Sequence, residues 1–286
     1  MSASATLSAN VVEGEFAFTE ADFKKISAMV HGDAGISLPD AKATLVYSRL
    51  AKRLRALGLT SFKDYCALVA DANGVDERQK MLAALTTNVT RFFREPHHFD
   101  HLKEKLLPPL LDAARRGGKV RIWSAACSSG QEPFSIAMTI LSLMPDAPER
   151  DIKILATDID PNMVREGRGG TYAPHLLEGV PPDYLKRFTS RAAGGVRMAD
   201  EARALITFNE LNLIGDWPMK GKFDAIFCRN VAIYFEDDTQ AKLWGRFAPL
   251  IAPNGALYIG HSERIQGPAT PLFKPDGVTT YRRVGA

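Results

Sequence analysis

The residues best suited to chemistry in this chain stand where apolar runs end. Val120-Arg-Ile-Trp123 gives way to the small-residue turn Ser124-Ala-Ala-Cys-Ser-Ser-Gly-Gln-Glu132, and Ile152-Lys-Ile-Leu-Ala-Thr157 gives way to Asp158-Ile-Asp160. Phe223-Asp-Ala-Ile-Phe-Cys228 ends in Arg229-Asn230, while Asn212-Leu213 and His261 follow two further apolar runs. Each run reads as a strand, and ligands of open α/β sheets collect outside the strand carboxyl ends. Small side chains in the Ser124–Glu132 turn let the backbone approach a ligand, with N–H groups and the next helix N-terminus facing it. Gly130 is the turn's one glycine, so the dinucleotide fingerprint is absent, and tight packing explains the turn equally well. Asp158, at the end of the second strand, is placed to accept hydrogen bonds from both ribose hydroxyls of an adenosine. Asp160 is better explained as the cap of a helix opening at Pro161.

These positions require a sheet to hold them. From Val120 onward strands and helices alternate, which predicts an α/β fold with a mostly parallel, doubly wound sheet and helices on both faces. Helices are expected over Glu132–Leu143 and Asp237–Leu250, and strands over Ala204–Phe208, Ala256–Ile259 and Thr279–Val284. The irregular stretch from Gly169 to Asp200 carries the β-like runs Arg187-Phe-Thr and Gly195-Val-Arg-Met, which suggest a small β insertion. Ahead of the α/β part, Phe16 to Asn88 has a helical pattern. Thr19 with Asp22 resembles a capping box, opening a helix that Gly32 would end. A second helix, from about Pro39 to Leu57, has Lys42, Arg49, Lys52 and Arg53 beside its apolar face. No acidic residue interrupts Lys42 to Arg55, so this face is either solvated or a docking surface for an acidic partner. Two shorter helices, over Ser61–Val69 and Asp76–Leu85, complete the module. A helix opened by Pro96 should end near Pro108 and Pro109. Its His97 and His101 have the spacing of paired metal ligands, but without a third ligand they read as surface or packing residues, and no metal is expected.

Composition narrows the class. The chain has 286 residues, 45% hydrophobic and 24% charged, with a net charge of +3, so it reads as an ordinary globular protein whose charge is too small by itself to argue for nucleic acid, and no nucleic-acid partner is expected. Its three cysteines, Cys66, Cys127 and Cys228, form no paired motif, which suits a reducing cytoplasm without disulfides or structural zinc. No segment reaches the length of a membrane span, and the first fifteen residues read as a frayed tail rather than a signal peptide.

Four stretches together carry a resemblance: Thr86-Thr-Asn-Val-Thr-Arg-Phe-Phe-Arg-Glu95, Trp123-Ser-Ala-Ala-Cys-Ser-Ser-Gly-Gln-Glu-Pro133, Ala156-Thr-Asp-Ile-Asp160 and Phe227-Cys-Arg-Asn-Val-Ala-Ile-Tyr-Phe235. They resemble the signature stretches of the CheR family of bacterial chemotaxis receptor methyltransferases, in order along nearly the whole chain. The resemblance implies a Rossmann-like domain that binds S-adenosylmethionine, an N-terminal all-α domain and a small inserted antiparallel β subdomain. On that basis the expected organisation is a tail at 1–15, a receptor-docking helical domain at 16–90, and a linker at 91–96 that contributes to the cofactor site. The methyltransferase domain then runs over 97–286, with its insertion at about 172–205.

The resemblance also implies roles. The enzyme would transfer a methyl group from S-adenosylmethionine to glutamate carboxylates of receptors, leaving S-adenosylhomocysteine. Asn88, Thr90 and Arg94 would reach the methionine end, Arg94 pairing with its carboxylate, and Glu132 would lie near the amino group. Asp158 would hold the ribose, Asn212 and Leu213 would flank the adenine, and Arg229 with Asn230 would complete the pocket. Tyr234 would lie close to the methyl donor and either orient the acceptor carboxylate or pack beneath the cofactor. Because receptor methylation segments are acidic helical bundles, Lys42, Arg49, Lys52 and Arg53 become docking candidates. Some members grip a pentapeptide at the receptor carboxyl terminus through a longer loop in the β subdomain. Here Arg191-Ala-Ala-Gly-Gly-Val196 is short, so the tether is not expected. The chain is expected to act as a cytoplasmic monomer. Competing readings are a methyltransferase acting on RNA or a small molecule, a NAD-linked oxidoreductase, and a non-catalytic receptor-binding scaffold.

Overall fold

The computed structural model describes residues 10–285, which fall into two compact units, one ending at Thr87 and one beginning at Asn88. The stretch from Asn88 to Pro96, which includes the expected linker, therefore belongs to the second unit. No helix among the described residues is long and apolar enough to cross a membrane.

The first unit is built from helices α1 (Glu20–Ala34), α2 (Ala43–Leu57), α3 (Phe62–Ala70) and α4 (Val75–Leu85). The capping box is present: Thr19 Oγ1 accepts the Asp22 N–H, and the Asp22 carboxylate accepts the Thr19 N–H. Gly32 does not end α1. The helix continues to Ala34, and Gly35 closes it in the left-handed conformation at φ 69°, where a side chain would be strained. Phe18, Ile26, Val46, Leu50, Phe62 and Tyr65 are fully buried in the shared core. Part of the expected tail is ordered here, since Val11 N–H donates to Phe18 O and Glu15 pairs with Arg55. Residues 1–9 lie outside the described residues.

The second unit is organised by a seven-stranded sheet in the order β6-β2-β1-β7-β8-β10-β9. Its strands are β1 (Val120–Ala125), β2 (Ile152–Asp158), β6 (Ile206–Glu210), β7 (Phe223–Cys228), β8 (Ile251–Ile259), β9 (Phe273–Gly277) and β10 (Thr280–Arg283). The run from β6 to β8 is parallel, and β10 is antiparallel to both β8 and β9. Strand β9 was not anticipated. Because β1 pairs with β2 on one side and β7 on the other, the connections reverse at β1, and the crevice above β1 and β7 is the topological switch point. Adjacent β1 residues face opposite sides of the sheet. Ile122 packs in one core with residues of α6 (Leu107–Arg115) and α7 (Gln131–Leu143), whereas Trp123 packs on Phe247 of α11 (Asp237–Phe247). Both faces are therefore covered, as the alternation of strands and helices predicts.

Two departures have local causes. The helix opened by Pro96 does not stop at Pro108-Pro109. It runs as α5 (His97–His101), a π-helical turn over Leu102–Leu106, and then α6. The prolines fall at the start of α6, directly after the π-helical turn, where the regular helical hydrogen bonding is already interrupted. Arg187 and Phe188 end a helix, α9 (Pro182–Phe188), rather than forming a strand. The inserted sheet consists of β3 (Thr171–Tyr172), β4 (Thr189–Ala192) and β5 (Gly195–Met198) in the order β3-β5-β4, all antiparallel. Helices α8 (Pro161–Gly169) and α10 (Asp200–Ala204) flank this insertion.

Candidate functional site

The turn after β1 alternates in hand, with Ala126, Ser128 and Gly130 at φ 64°, 49° and 97°. Gly130 is required both by its left-handed backbone and by packing. A Cβ there would come within 2.9 Å of Gly167 Cα and of the Tyr172 hydroxyl, which places the small-residue turn hard against α8. The turn's polarity is directed instead at the end of β2. Ser128 N–H donates to Asp158 Oδ2 at 2.7 Å, and Asp160 N–H donates to Oδ1 at 3.0 Å. Asp158 is buried, and burial outweighs those N–H groups, pushing its carboxyl up to about 6. Asp160 caps α8 through Asn162 N–H and accepts a second hydrogen bond, at 3.0 Å, from Asn88 Nδ2. The Asn88 carbonyl in turn accepts from Ser128 Oγ at 2.9 Å. Leu211 N–H donates to Asp158 O, bringing Asn212 and the buried Leu213 to the same edge. Asn212 Oδ1 is engaged by Ile214 N–H in a local turn.

A second group gathers around Arg229, whose side chain is only 2% exposed. Its guanidinium reaches Glu132 Oε2 at 3.1 Å, Glu95 Oε2 at 3.4 Å and the Arg94 carbonyl. Glu132 Oε1 accepts from Ser124 Oγ at 2.7 Å, so both of its oxygens already have partners within the protein. Glu95 Oε1 takes the His261 ring Nδ1 at 3.1 Å and the Asn230 amide at 3.5 Å. Burial would raise the Glu95 carboxyl, but Arg229 and His261 more than offset it and hold it at about 2. Glu132 moves the other way, burial outweighing Arg229 and Ser124 to raise its carboxyl. Two carboxylates thus share one buried guanidinium. Glu95 was not singled out in the sequence, because an exposed-looking acid before Pro96 gives no sign of partners at 229 and 261.

Thr90 and Arg94 are half-buried on the same stretch as Asn88, and Arg94 donates to the Val89 carbonyl at 3.1 Å. Tyr234 is half-buried in the single helical turn Ala232–Tyr234 that follows Asn230. His101 is a packing residue, with Nδ1 on the Tyr258 hydroxyl and Nε2 on Asp276. The strand carboxyl ends therefore bring together a buried carboxylate, Asp158, and an acidic group around Arg229, with a cation, Arg94, on the Asn88–Glu95 stretch. That set fits S-adenosylmethionine, which carries two ribose hydroxyls, a cationic sulfonium and amino group, and a carboxylate.

Within the first unit the four docking candidates divide. Arg49 Nη1 caps the carboxyl end of α4, reaching the Leu85 and Thr86 carbonyls at 2.9 and 2.6 Å. Arg53 forms a two-pronged pair with Glu77 at 2.9 and 2.6 Å, and Glu77 also accepts from the buried Tyr65 hydroxyl. Both arginines are thus engaged within the unit, while Lys42 and Lys52 are exposed.

Comparison with known proteins matches the same division of the chain. Residues 21–86 match the model of the CheR methyltransferase all-alpha domain, and residues 88–281 match that of the CheR methyltransferase SAM binding domain. A probable chemotaxis protein methyltransferase of Rhizobium etli is 55% identical over 258 residues, 89% of this chain and 96% of its own. The chemotaxis protein methyltransferase of Escherichia coli is 43% identical over 86% of this chain and 85% of its own. Chemotaxis protein methyltransferase 2 of Pseudomonas aeruginosa is 42% identical over 93% of this chain and 94% of its own. With both family models matched in order and relatives this similar over nearly their full lengths, the chain belongs to the CheR methyltransferase family.

Proposed function

We propose that this protein is a protein-glutamate O-methyltransferase, converting glutamate side chains in the cytoplasmic methylation region of chemotaxis receptors to methyl esters. The observation that carries this reading is the close similarity, over almost the entire chain, to chemotaxis protein methyltransferases, coupled to a polar crevice at the switch point of the sheet.

S-adenosylmethionine supplies an electrophilic methyl group on a sulfonium. The chain's residues have the task of binding and alignment. A glutamate acceptor is already ionised near neutral pH, so no strong general base is needed. Alignment for in-line displacement is worth several kcal/mol by itself. Asp158 serves as acceptor for the ribose hydroxyls, and Asn212 with Leu213 borders the adenine. Asn88, Thr90 and Arg94 hold the methionine end, with the Arg94 guanidinium on the carboxylate. Arg229, being buried, acts by fixing Glu95, Glu132 and the Arg94 backbone rather than by touching the substrate. Glu132 and Glu95 then favour the cationic amino end, and Asn230 closes the pocket. Tyr234 orients the acceptor carboxylate through its hydroxyl, a neutral contact. This suits a reaction in which an anion and a sulfonium are neutralised together, because fixed charge there would stabilise the ground state.

Docking on the receptor is assigned to the exposed Lys42 and Lys52, with Arg49 and Arg53 shaping the surface from within. The β4–β5 turn is the two residues Ala193-Gly194, with Ala192 paired to Gly195, which supports recognition without a pentapeptide tether. Calorimetric detection of tight binding to a receptor carboxyl-terminal peptide would overturn that last point. The protein is assigned to the cytoplasm as a monomer.

The test is transfer of labelled methyl from S-adenosylmethionine to receptor-containing membranes. Label released by mild alkali is the expected result. Alkali-stable label points to an amine or nucleic-acid acceptor, and failure to bind S-adenosylmethionine points to a scaffold.

A further inference from the structure

A further buried carboxylate, Glu263, stands behind the turn that carries Arg229, Asn230 and Tyr234. It lies in the loop after β8 and is 2% exposed. Its Oε1 accepts the Val231 and Ala232 N–H groups at 2.9 and 2.8 Å, and its Oε2 accepts the Asn230 N–H at 3.0 Å and the Gly260 N–H. Three consecutive amides therefore converge on one side chain. They do so because Asn230 is left-handed at φ 58° while Val231 returns to φ −123°, ψ −39°. Successive residues of opposite hand turn their N–H groups inward and form an anion-binding concavity. The chain fills this one with its own anion. The approach is close, since a Cβ on Gly260 would come within 2.8 Å of Asn230 N and 2.5 Å of its side-chain amide. The same loop delivers the His261 ring to Glu95.

The geometry points to Glu263 as a positioning residue for the cofactor site, holding the Arg229–Tyr234 turn in its binding pose through the amides of Asn230, Val231 and Ala232. This rests on the assignment of Asn230 and its neighbours to the cofactor pocket. Asparagine tolerates left-handed backbone better than other residues that carry a side chain, yet the conformation is still less favourable than a right-handed one and is held by its surroundings. Buried N–H groups stripped of an acceptor are costly. The carboxylate meets both demands, because its two oxygens supply acceptors for all four amides and its charge strengthens each bond. A neutral amide of the same shape cannot do so. Glu263→Gln keeps one acceptor oxygen and aims an NH2 at two donors. Glu263→Asp keeps the charge but stands one methylene short.

The experiment is calorimetric titration of S-adenosylhomocysteine into wild type, Glu263→Gln and Glu263→Asp, with urea denaturation confirming that each variant is folded. The inference predicts that folded Glu263→Gln binds at least about tenfold more weakly, with Glu263→Asp intermediate. A role in stability alone would shift the urea midpoint and leave the Kd of the folded protein at the wild-type value, and that result overturns the inference. Amide exchange in the ligand-free wild type provides a check that needs no variant: Asn230, Val231 and Ala232 should be protected, and exchange at unprotected rates overturns it equally. Wild type that fails to bind S-adenosylhomocysteine contradicts the pocket assignment instead, an outcome separate from any difference among the variants.

Discussion

Replacing Arg229 with methionine tests how the site is held together. The substitution preserves most of the buried volume and removes the one guanidinium that Glu95 and Glu132 share. The fall of the Glu95 carboxyl from its ordinary 4.5 to about 2 corresponds to about 3 kcal/mol of native-state stabilisation. That contribution is present above the ordinary value and is lost as pH drops toward about 2. Arg229 is the largest favourable influence on Glu95, and without it Glu132 keeps only Ser124. A loss of about 3 to 5 kcal/mol at pH 7 follows, the usual cost of leaving buried charge unpaired. In the variant burial of Glu132 is opposed only by Ser124, so its carboxyl is pushed further up, while Glu95 loses its largest lowering influence and keeps His261. Protonation then restores stability as pH falls, and the gap from wild type should narrow between pH 7 and pH 5. Urea denaturation followed by tryptophan fluorescence reads the second unit by itself, because Trp123, Trp217 and Trp244 all lie in it. A gap below about 1 kcal/mol at pH 7, or one that does not change with pH, would refute the shared-guanidinium account.

Three further outcomes are expected. Arg53→Glu leaves Glu77 facing a like charge and should lower the stability of the first unit, whereas Lys42→Glu with Lys52→Glu should raise the receptor KM in a salt-sensitive way without loss of fold; an unaltered KM in the lysine double variant removes the docking role. With Asp158 titrating at about 6 and its ionised form accepting the ribose hydroxyls, S-adenosylhomocysteine should bind about tenfold more weakly at pH 5 than at pH 7. Asp158→Asn should bind weakly at both, and wild-type affinity that does not vary with pH would contradict the assignment. Tyr234→Phe should lower kcat about tenfold, the worth of one hydrogen bond, with cofactor Kd unchanged; a kcat close to wild type makes Tyr234 a packing residue.

What could be read from the sequence was what depends on near neighbours. The apolar runs that make β1, β2 and β7, the Thr19 capping box and the polar residues at strand carboxyl ends all show as short patterns. Asp158 and Asp160 were assigned from position along the second strand, and Asp160 does cap α8. What remained hidden depends on partners distant in the chain. The span from Lys42 to Arg55 contains no acid, yet Arg53 finds Glu77 and Arg55 finds Glu15, so local charge counting overstated the free positive face. Glu95 and Glu263 gain their significance from Arg229 and from the turn after it, contacts that no periodicity encodes. The Gly130 turn suits ligand approach and tight packing equally as a sequence, and the partners that pack on it, Gly167 and Tyr172, lie far along the chain. Local rules also missed the π-helical turn that lets Pro108 and Pro109 enter a continuing helix, and the short β9.

The most direct test of the central claim is tandem mass spectrometry of receptor methylation-region peptides after incubation with this protein and S-adenosylmethionine. The account predicts one added CH2 on glutamate side chains, lost on alkaline treatment, and absent when the protein is omitted. A methyl group found on another side chain, or receptor peptides left unmodified while S-adenosylmethionine is consumed, would contradict it.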